Sequence, residues 1–133
     1  MLSNYLRNSI QDHIFLKKPL VSIPDSIYIG LSKTSPTPDG ENVTEPTGGG
    51  YSRLKIDRIE TEFTGSVNGV VKNKLRKNYN ETTDVWGVCT HYVIFDSPTD
   101  GNLLWCGELT RSRNIDVEMQ VFINANDLVF TLE

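Results

Sequence analysis

The residues of this sequence best equipped for chemistry crowd into one stretch. Residues 85–110, read V-W-G-V-C-T-H-Y-V-I-F-D-S-P-T-D-G-N-L-L-W-C-G-E-L-T, hold both cysteines, both tryptophans and one of the two histidines. Cys89 and His91, two apart, would share one face of a strand with their Cβ atoms roughly 7 Å apart. A thiolate nucleophile and its imidazole base need hydrogen-bond reach and a third group that orients the base. The sequence offers neither, so His91 reads as a partly buried strand residue. Cys89 and Cys106 read as semi-buried structural thiols.

Other chemistries fail on spacing. His13 and His91 lie on different elements, and no C-x-x-C, H-x-x-x-H or H-E-x-x-H occurs, so no metal site is expected. Nucleophile-elbow, Walker and dinucleotide-binding glycine patterns are absent as well. Gly48-Gly49-Gly50 precedes strand-like rather than helix-like sequence, so it suits a sharp turn or a close approach to another chain rather than a phosphate cradle. Asp39, Glu41, Asp96, Asp100 and Asp127 are loop acids without the order of a calcium loop, and Glu108 alone sits in an apolar run. With Leu104 and Cys106, Glu108 marks the strand face nearer solvent or an interface. Lys72, Lys74 and Arg76 would share one face of a strand over 71–77, as a solvated or edge-protecting face or as a contact for phosphate or an acidic partner. The sequence implies no catalytic residue and no cofactor.

The elements around these residues are mostly strands. Leu2, Leu6, Ile10 and Ile14 recur at helical spacing, widened by Tyr5, Phe15 and Leu16. Ser3 or Asn4 can cap that helix, Lys17 and Lys18 suit its negative end, and Pro19 stops it. Its apolar stripe must cover the domain's own core or dock on a neighbouring subunit, because so short a helix is marginal alone. Residues 26–32 alternate as a strand, with Ile27, Ile29 and Leu31 on one face. Residues 33–50 form a long loop with prolines and glycines and no periodicity, a type that is usually functional or mobile.

Residues 51–57 alternate again, and 59–73 offer one or two weaker strands. The runs on either side of 96–102 predict a β-hairpin, with Pro98 and Asp100-Gly101 shaping the turn. If it turns near Thr99, Cys89 faces a residue near Leu109 and Cys106 one near Tyr92, so the sulfurs do not meet. Trp86, Tyr92, Ile94, Leu103, Trp105 and Leu109 are the expected core. Residues 111–116 read as a polar turn, and 117–123 and 128–132 as two strands of a second hairpin. The result is a mostly β, two-sheet sandwich or partly closed barrel with one N-terminal amphipathic helix (1–18), one domain over 1–133.

Composition narrows the partners. A formal charge of −4 argues against nucleic acid as the main partner. No apolar run reaches the ~20 residues that span a bilayer, and the N-terminus lacks the apolar core of a signal peptide. Synthesis in the cytosol is therefore expected, with reduced thiols, and Asn42-Val43-Thr44 and Asn80-Glu81-Thr82 are read as chance matches to the glycosylation pattern.

Several segments in order resemble a family of small tailed-bacteriophage virion proteins often labelled tail fibre or head decoration. They are Ser3-Asn4-Tyr5-Leu6 with Asp12-His13, Ile27-Tyr28-Ile29-Gly30-Leu31-Ser32, Glu45-Pro46 with Gly48-Gly49-Gly50-Tyr51-Ser52-Arg53, and Trp86-Gly87-Val88-Cys89-Thr90-His91-Tyr92. Ile94-Phe95-Asp96, Gly101-Asn102-Leu103-Leu104, Gly107 with Leu109, and Asn126-Asp127-Leu128 complete the set. One segment departs: 75–83 replaces an apolar-Phe-Pro-x-Ala-Thr run, implying a more exposed or differently partnered strand. The resemblance implies a non-enzymatic virion subunit made in the host cytoplasm, whose partners are its own copies and other virion structural proteins. Expected contact residues are Leu6, Ile10 and Ile14 on the helix and Pro36, Pro38, Pro46, Gly48, Gly49, Gly50 and Tyr51 in the loop. The alternative is a carbohydrate- or receptor-binding module of an adhesin, with Tyr28, Tyr51, Tyr79 or Trp86 stacking on a host surface glycan.

Overall fold

The computed structural model describes residues 1–132. One helix, α1 (Asn4–Leu16), precedes eight strands: β1 (Ser26–Ser32), β2 (Leu54–Asp57), β3 (Val70–Lys72), β4 (Lys77–Asn78), β5 (Gly87–Phe95), β6 (Leu103–Ile115), β7 (Phe122–Ile123) and β8 (Val129–Thr131). The helix is shorter than the expected 1–18 and ends ahead of Pro19, and the expected Ser3 cap forms. Ser3 Oγ accepts the Leu6 N–H at 3.3 Å, and Lys17 ends the helix in the left-handed region at φ 57°.

The main sheet has the order β2-β1-β5-β6 and is antiparallel throughout. Alternation along β1 sends Ile27, Ile29 and Leu31 to one face, as expected, opposite Ile56, Ile94 and Tyr92 respectively. On that face Ile29, Ile56, Ile94, Leu104 and Leu128 form a core closed by Phe63, Ile123 and Phe130. Phe130 and Ile123 belong to two-stranded ribbons, β3-β8 and β4-β7, which supply the second layer. Among the described residues no sheet closes into a barrel, so the layered alternative holds and the barrel does not.

The C-terminal pieces do not form their own hairpin. β7 pairs with β4 and β8 with β3. The expected strand over 117–123 shrinks to two residues because Met119 and Val121 bond back to Thr82 and Tyr79. Likewise 71–77 is no single strand. It breaks at the buried Asn73, whose side chain bonds the carbonyls of Leu75 and Asn124 and the Leu128 N–H. Lys72, Lys74 and Arg76 therefore do not line one strand.

The central hairpin turns over 96–102 as expected. Asp96 Oδ1 accepts the Asn102 N–H at 2.7 Å, while Asp100 and Gly101 take φ of 51° and 81°. Its register differs from the simple estimate. Cys106 lies opposite Val93, beside the anticipated Tyr92, but Cys89 lies opposite Arg113 rather than near Leu109. The cause is an irregularity between Cys89 and His91, across which β6 advances from Arg113 to Glu108. The strand thus runs through 111–115, where a turn is expected from sequence. A second bulge, between Ile94 and Phe95, parts Leu104 from Cys106: Leu104 joins the first core, while Cys106 packs with Val93, Phe95 and Leu103 on the opposite face.

Candidate functional site

The long loop 33–50 covers that opposite face. Lys33 N–H bonds Thr44 O at 2.8 Å, Val43 packs on the Val93 cluster, and Pro36 and Pro46 are buried. At its end stands a polar node. Arg53 donates to both Glu45 oxygens, at 3.0 and 2.8 Å, and to the carbonyls of Ser97 and Asp100, both at 2.8 Å. Its guanidinium lies 3.8 Å from the Phe95 ring centre. Tyr51 donates to Glu45 Oε1 at 2.6 Å and accepts the Leu31 N–H, which lies past the last β1–β2 pair at Ile29–Leu54. One node therefore joins the loop, the tip of the central hairpin and β1.

Two glycines make room for it. A methyl on Gly30 would stand 2.5 Å from Glu45 Oε1, and one on Gly49 2.9 Å from Asp84 O. Gly48, Gly49 and Gly50 all have positive φ, which accounts for the run of three. Gly49 O in turn accepts the Trp86 indole N–H at 2.8 Å. Trp86 is buried, with Tyr51 and Tyr79 meeting it edge-on. Tyr79 donates to Ile29 O at 3.0 Å, so the departing segment 75–83, exposed along most of its length as expected, is anchored to the sheet through its buried Tyr79.

Both phenols are held protonated well above the usual tyrosine range. Burial is the main cause in each; for Tyr51 the hydrogen bond to Glu45 and its charge add to it, and for Tyr79 the charges of Cys89 and Glu45 do. A raised native pKa leaves stability intact below the unfolded value near 10 and removes it as pH rises further, because only the unfolded chain ionises. Unfolding free energies from urea titration should begin to fall above about pH 8.5, where the unfolded thiols of the buried Cys89 and Cys106 ionise, and fall further above about pH 10, by about 1.4 kcal/mol per pH unit for each phenol kept neutral. A flat profile to pH 11 would contradict this burial.

Cys89 is buried, and burial pushes its thiol up more than Lys33 pulls it down. The His91 ring shares a 2.7 Å hydrogen bond with Thr90 Oγ1. Cys106, also buried, is raised for the same reason as Cys89. Among the described residues no cluster of three His, Cys, Asp or Glu could hold a metal ion, and no helix is long and apolar enough to cross a membrane.

The ten expected contact residues divide. Leu6 packs against the Ile29–Leu104 core and Ile10 is half-buried, whereas Ile14 is 64% exposed. In the loop, Pro36 and Pro46 are buried, Pro38, Gly49 and Tyr51 half-buried, and Gly48 and Gly50 exposed. Of the aromatics considered for glycan stacking, Tyr79 and Trp86 are buried and Tyr51 is tied to Glu45, leaving Tyr28 half-buried.

Two features escaped the sequence reading. Phe15, Leu16 and Leu20 join Ile14 as a protruding apolar hook. Its backbone is folded back by Val21 N–H to Ser9 Oγ at 2.9 Å and by the His13 ring N–H to Lys18 O at 2.8 Å. The second is an open apolar cleft of about 490 Å³, lined by Ile23, Ile27, Ile59, Phe63, Trp105 and Phe130. The apolar pair Phe15-Leu16 after the helical stripe was the available sign of the hook; the cleft had none, since its lining comes from six separate segments.

A sequence model of the podophage GP4 fiber I protein gp80 family matches residues 1–131, so the chain belongs to that family and is a structural virion component of the phage-fibre type. No curated protein matches the sequence.

Proposed function

We propose that this chain is a non-enzymatic building block of a podophage particle, present in several copies at or near the fibres. It associates there with its own copies and with other virion proteins through the C-terminal half of α1 and the exposed crest of the loop at Gly48 and Gly50. The observation that carries this reading is the hook: Ile14, Phe15, Leu16 and Leu20 are more than half exposed on an ordered, hydrogen-bonded turn. Large apolar side chains left exposed at one helix end and in the segment after it mark a candidate contact with another protein. The expected residues Leu6, Pro36 and Pro46 act indirectly, by seating the helix and the loop.

A cryo-EM map of the particle tests the proposal. Several copies at a fixed position near the fibre base, with the helix end covered, is the expected result. A particle lacking the chain, or holding it on the capsid shell alone, overturns it.

A further inference from the structure

Val67 and Val70 exchange both backbone hydrogen bonds, at 3.1 and 3.0 Å, across a turn of two residues, Asn68 and Gly69. Both turn residues have positive φ, 51° and 77°, the type I′ form that Asn-Gly favours. This is the one Asn-Gly step in the sequence. Asn68 is exposed, and neither its side-chain amide, nor its carbonyl, nor the Gly69 N–H has a hydrogen-bond partner among the described residues. We propose that Asn68 is a site of spontaneous covalent modification, converted by water to aspartate and isoaspartate through a succinimide while the domain stays folded. The inference is independent of the assembly reading above.

Water is the only reagent the conversion needs. The Gly69 nitrogen attacks Asn68 Cγ and loses its proton to solvent, and the Cγ–Nδ2 bond breaks to release ammonia. Water then opens the ring at either carbonyl, giving aspartate or isoaspartate. A type I′ turn holds the Gly69 nitrogen roughly opposite Asn68 Cβ, out of reach of Cγ. Turning the Asn68–Gly69 peptide over gives a type II′ turn and brings that nitrogen round to the Cβ side. Neither Val67–Val70 bond runs through this peptide, so the hairpin survives the change, and Gly69 carries no side chain to block the approach. The two Asp-Gly steps are held differently. Gly40 N–H donates to Thr37 O at 3.0 Å and Asp39 Oδ1 accepts from Asn4 at 2.8 Å, while Arg53 pins the Asp100 carbonyl at 2.8 Å. Their ionised carboxylates are also poorer electrophiles than an amide. Isoaspartate adds a backbone atom to the two-residue turn, which displaces Gly69 O from the Leu132 N–H it accepts at 2.9 Å. That bond continues the β3–β8 ribbon, whose Phe130 closes the core. A chain built into a particle is not replaced, so the product accumulates as the particle ages.

Trypsin, cutting after Arg58 and Lys72, releases residues 59–72, in which Asn68 is the only asparagine. The full chain is aged folded in mildly alkaline buffer and then digested; the same peptide, released first and aged alone, is the reference. Mass spectrometry should find aspartate and isoaspartate at Asn68 in the folded chain, forming no more than about a hundredfold more slowly than in the free peptide, the population cost of one strained turn conformer. A reaction that required global unfolding would be slowed by more than about a thousandfold. Asn42 and Asn80, exposed but with bonded side-chain amides, should stay intact over the same period. Slowing beyond about a hundredfold, or equal conversion at Asn42 and Asn80, overturns the inference. Asn68→Asp, freshly purified, separates charge from chain length, since it adds the carboxylate without the extra backbone atom. Hydrogen exchange over 128–132 should match the wild type in that variant and quicken in the separated isoaspartate form. Equal exchange in all three overturns the damage assigned to the ribbon.

Discussion

Arg53→Ala should cost the domain about 3–5 kcal/mol, because it strands a poorly hydrated carboxylate. The Arg53 and Glu45 side chains are only 7% and 21% exposed. Without the guanidinium, Glu45 keeps a single strong donor, the Tyr51 hydroxyl, and the carbonyls of Ser97 and Asp100 lose theirs. The Phe95 ring loses its cover too. In thermal unfolding the change should appear as a drop of about 10–15 °C. Glu45→Ala should cost less than Arg53→Ala, since Arg53 retains two carbonyl acceptors. The double variant should be less destabilised than the sum of the singles, as befits partners in one network. Urea unfolding of the four proteins decides it. A loss under about 1 kcal/mol for Arg53→Ala would mean that the node is solvated and ordinary.

Trp86→Ala should be comparably severe, at about 3–5 kcal/mol, for a different reason. Trp86 is 1% exposed and is the largest of the fully buried side chains. It packs with Leu31, Tyr79, Cys89 and Ile115, a core separate from the one around Ile29. Truncation leaves a cavity where two tyrosine edges now meet the indole. Trp86→Phe separates packing from anchoring. It fills most of the space but leaves Gly49 O without its donor, so about 1–2 kcal/mol should go. Limited proteolysis should then cut faster near Gly48–Gly50 in both variants than in the wild type. Equal losses for alanine and phenylalanine would show that the indole N–H, and not the ring volume, holds this core.

Local features of this chain were legible because local forces decide them. The Ser3 cap, the end of the helix ahead of Pro19, the alternation of Ser26–Ser32 and the turn at Asp100-Gly101 each depend on a few adjacent residues. The family signature at 45–53 was legible as a pattern but not as a mechanism. Glu45, Tyr51 and Arg53 meet only after the loop has folded over Gly30 and Phe95.

Longer-range choices were not legible. Polar residues at 111–115 look like a turn, yet they continue β6 because β5 offers a partner across an irregular register. β7 and β8 read as a hairpin by proximity, yet each is too short to hold the other and takes its partner from β4 or β3. The helix shows the division most plainly. Its sequence determined the Ser3 cap, that it ends before Pro19 and that it has an apolar stripe. Only the tertiary structure decided that Leu6 is spent on the core and Phe15 left in water. The reason is geometric: the short pairing of residues 1–3 with β6 sets where the helix starts, and the domain beneath it ends before the helix does.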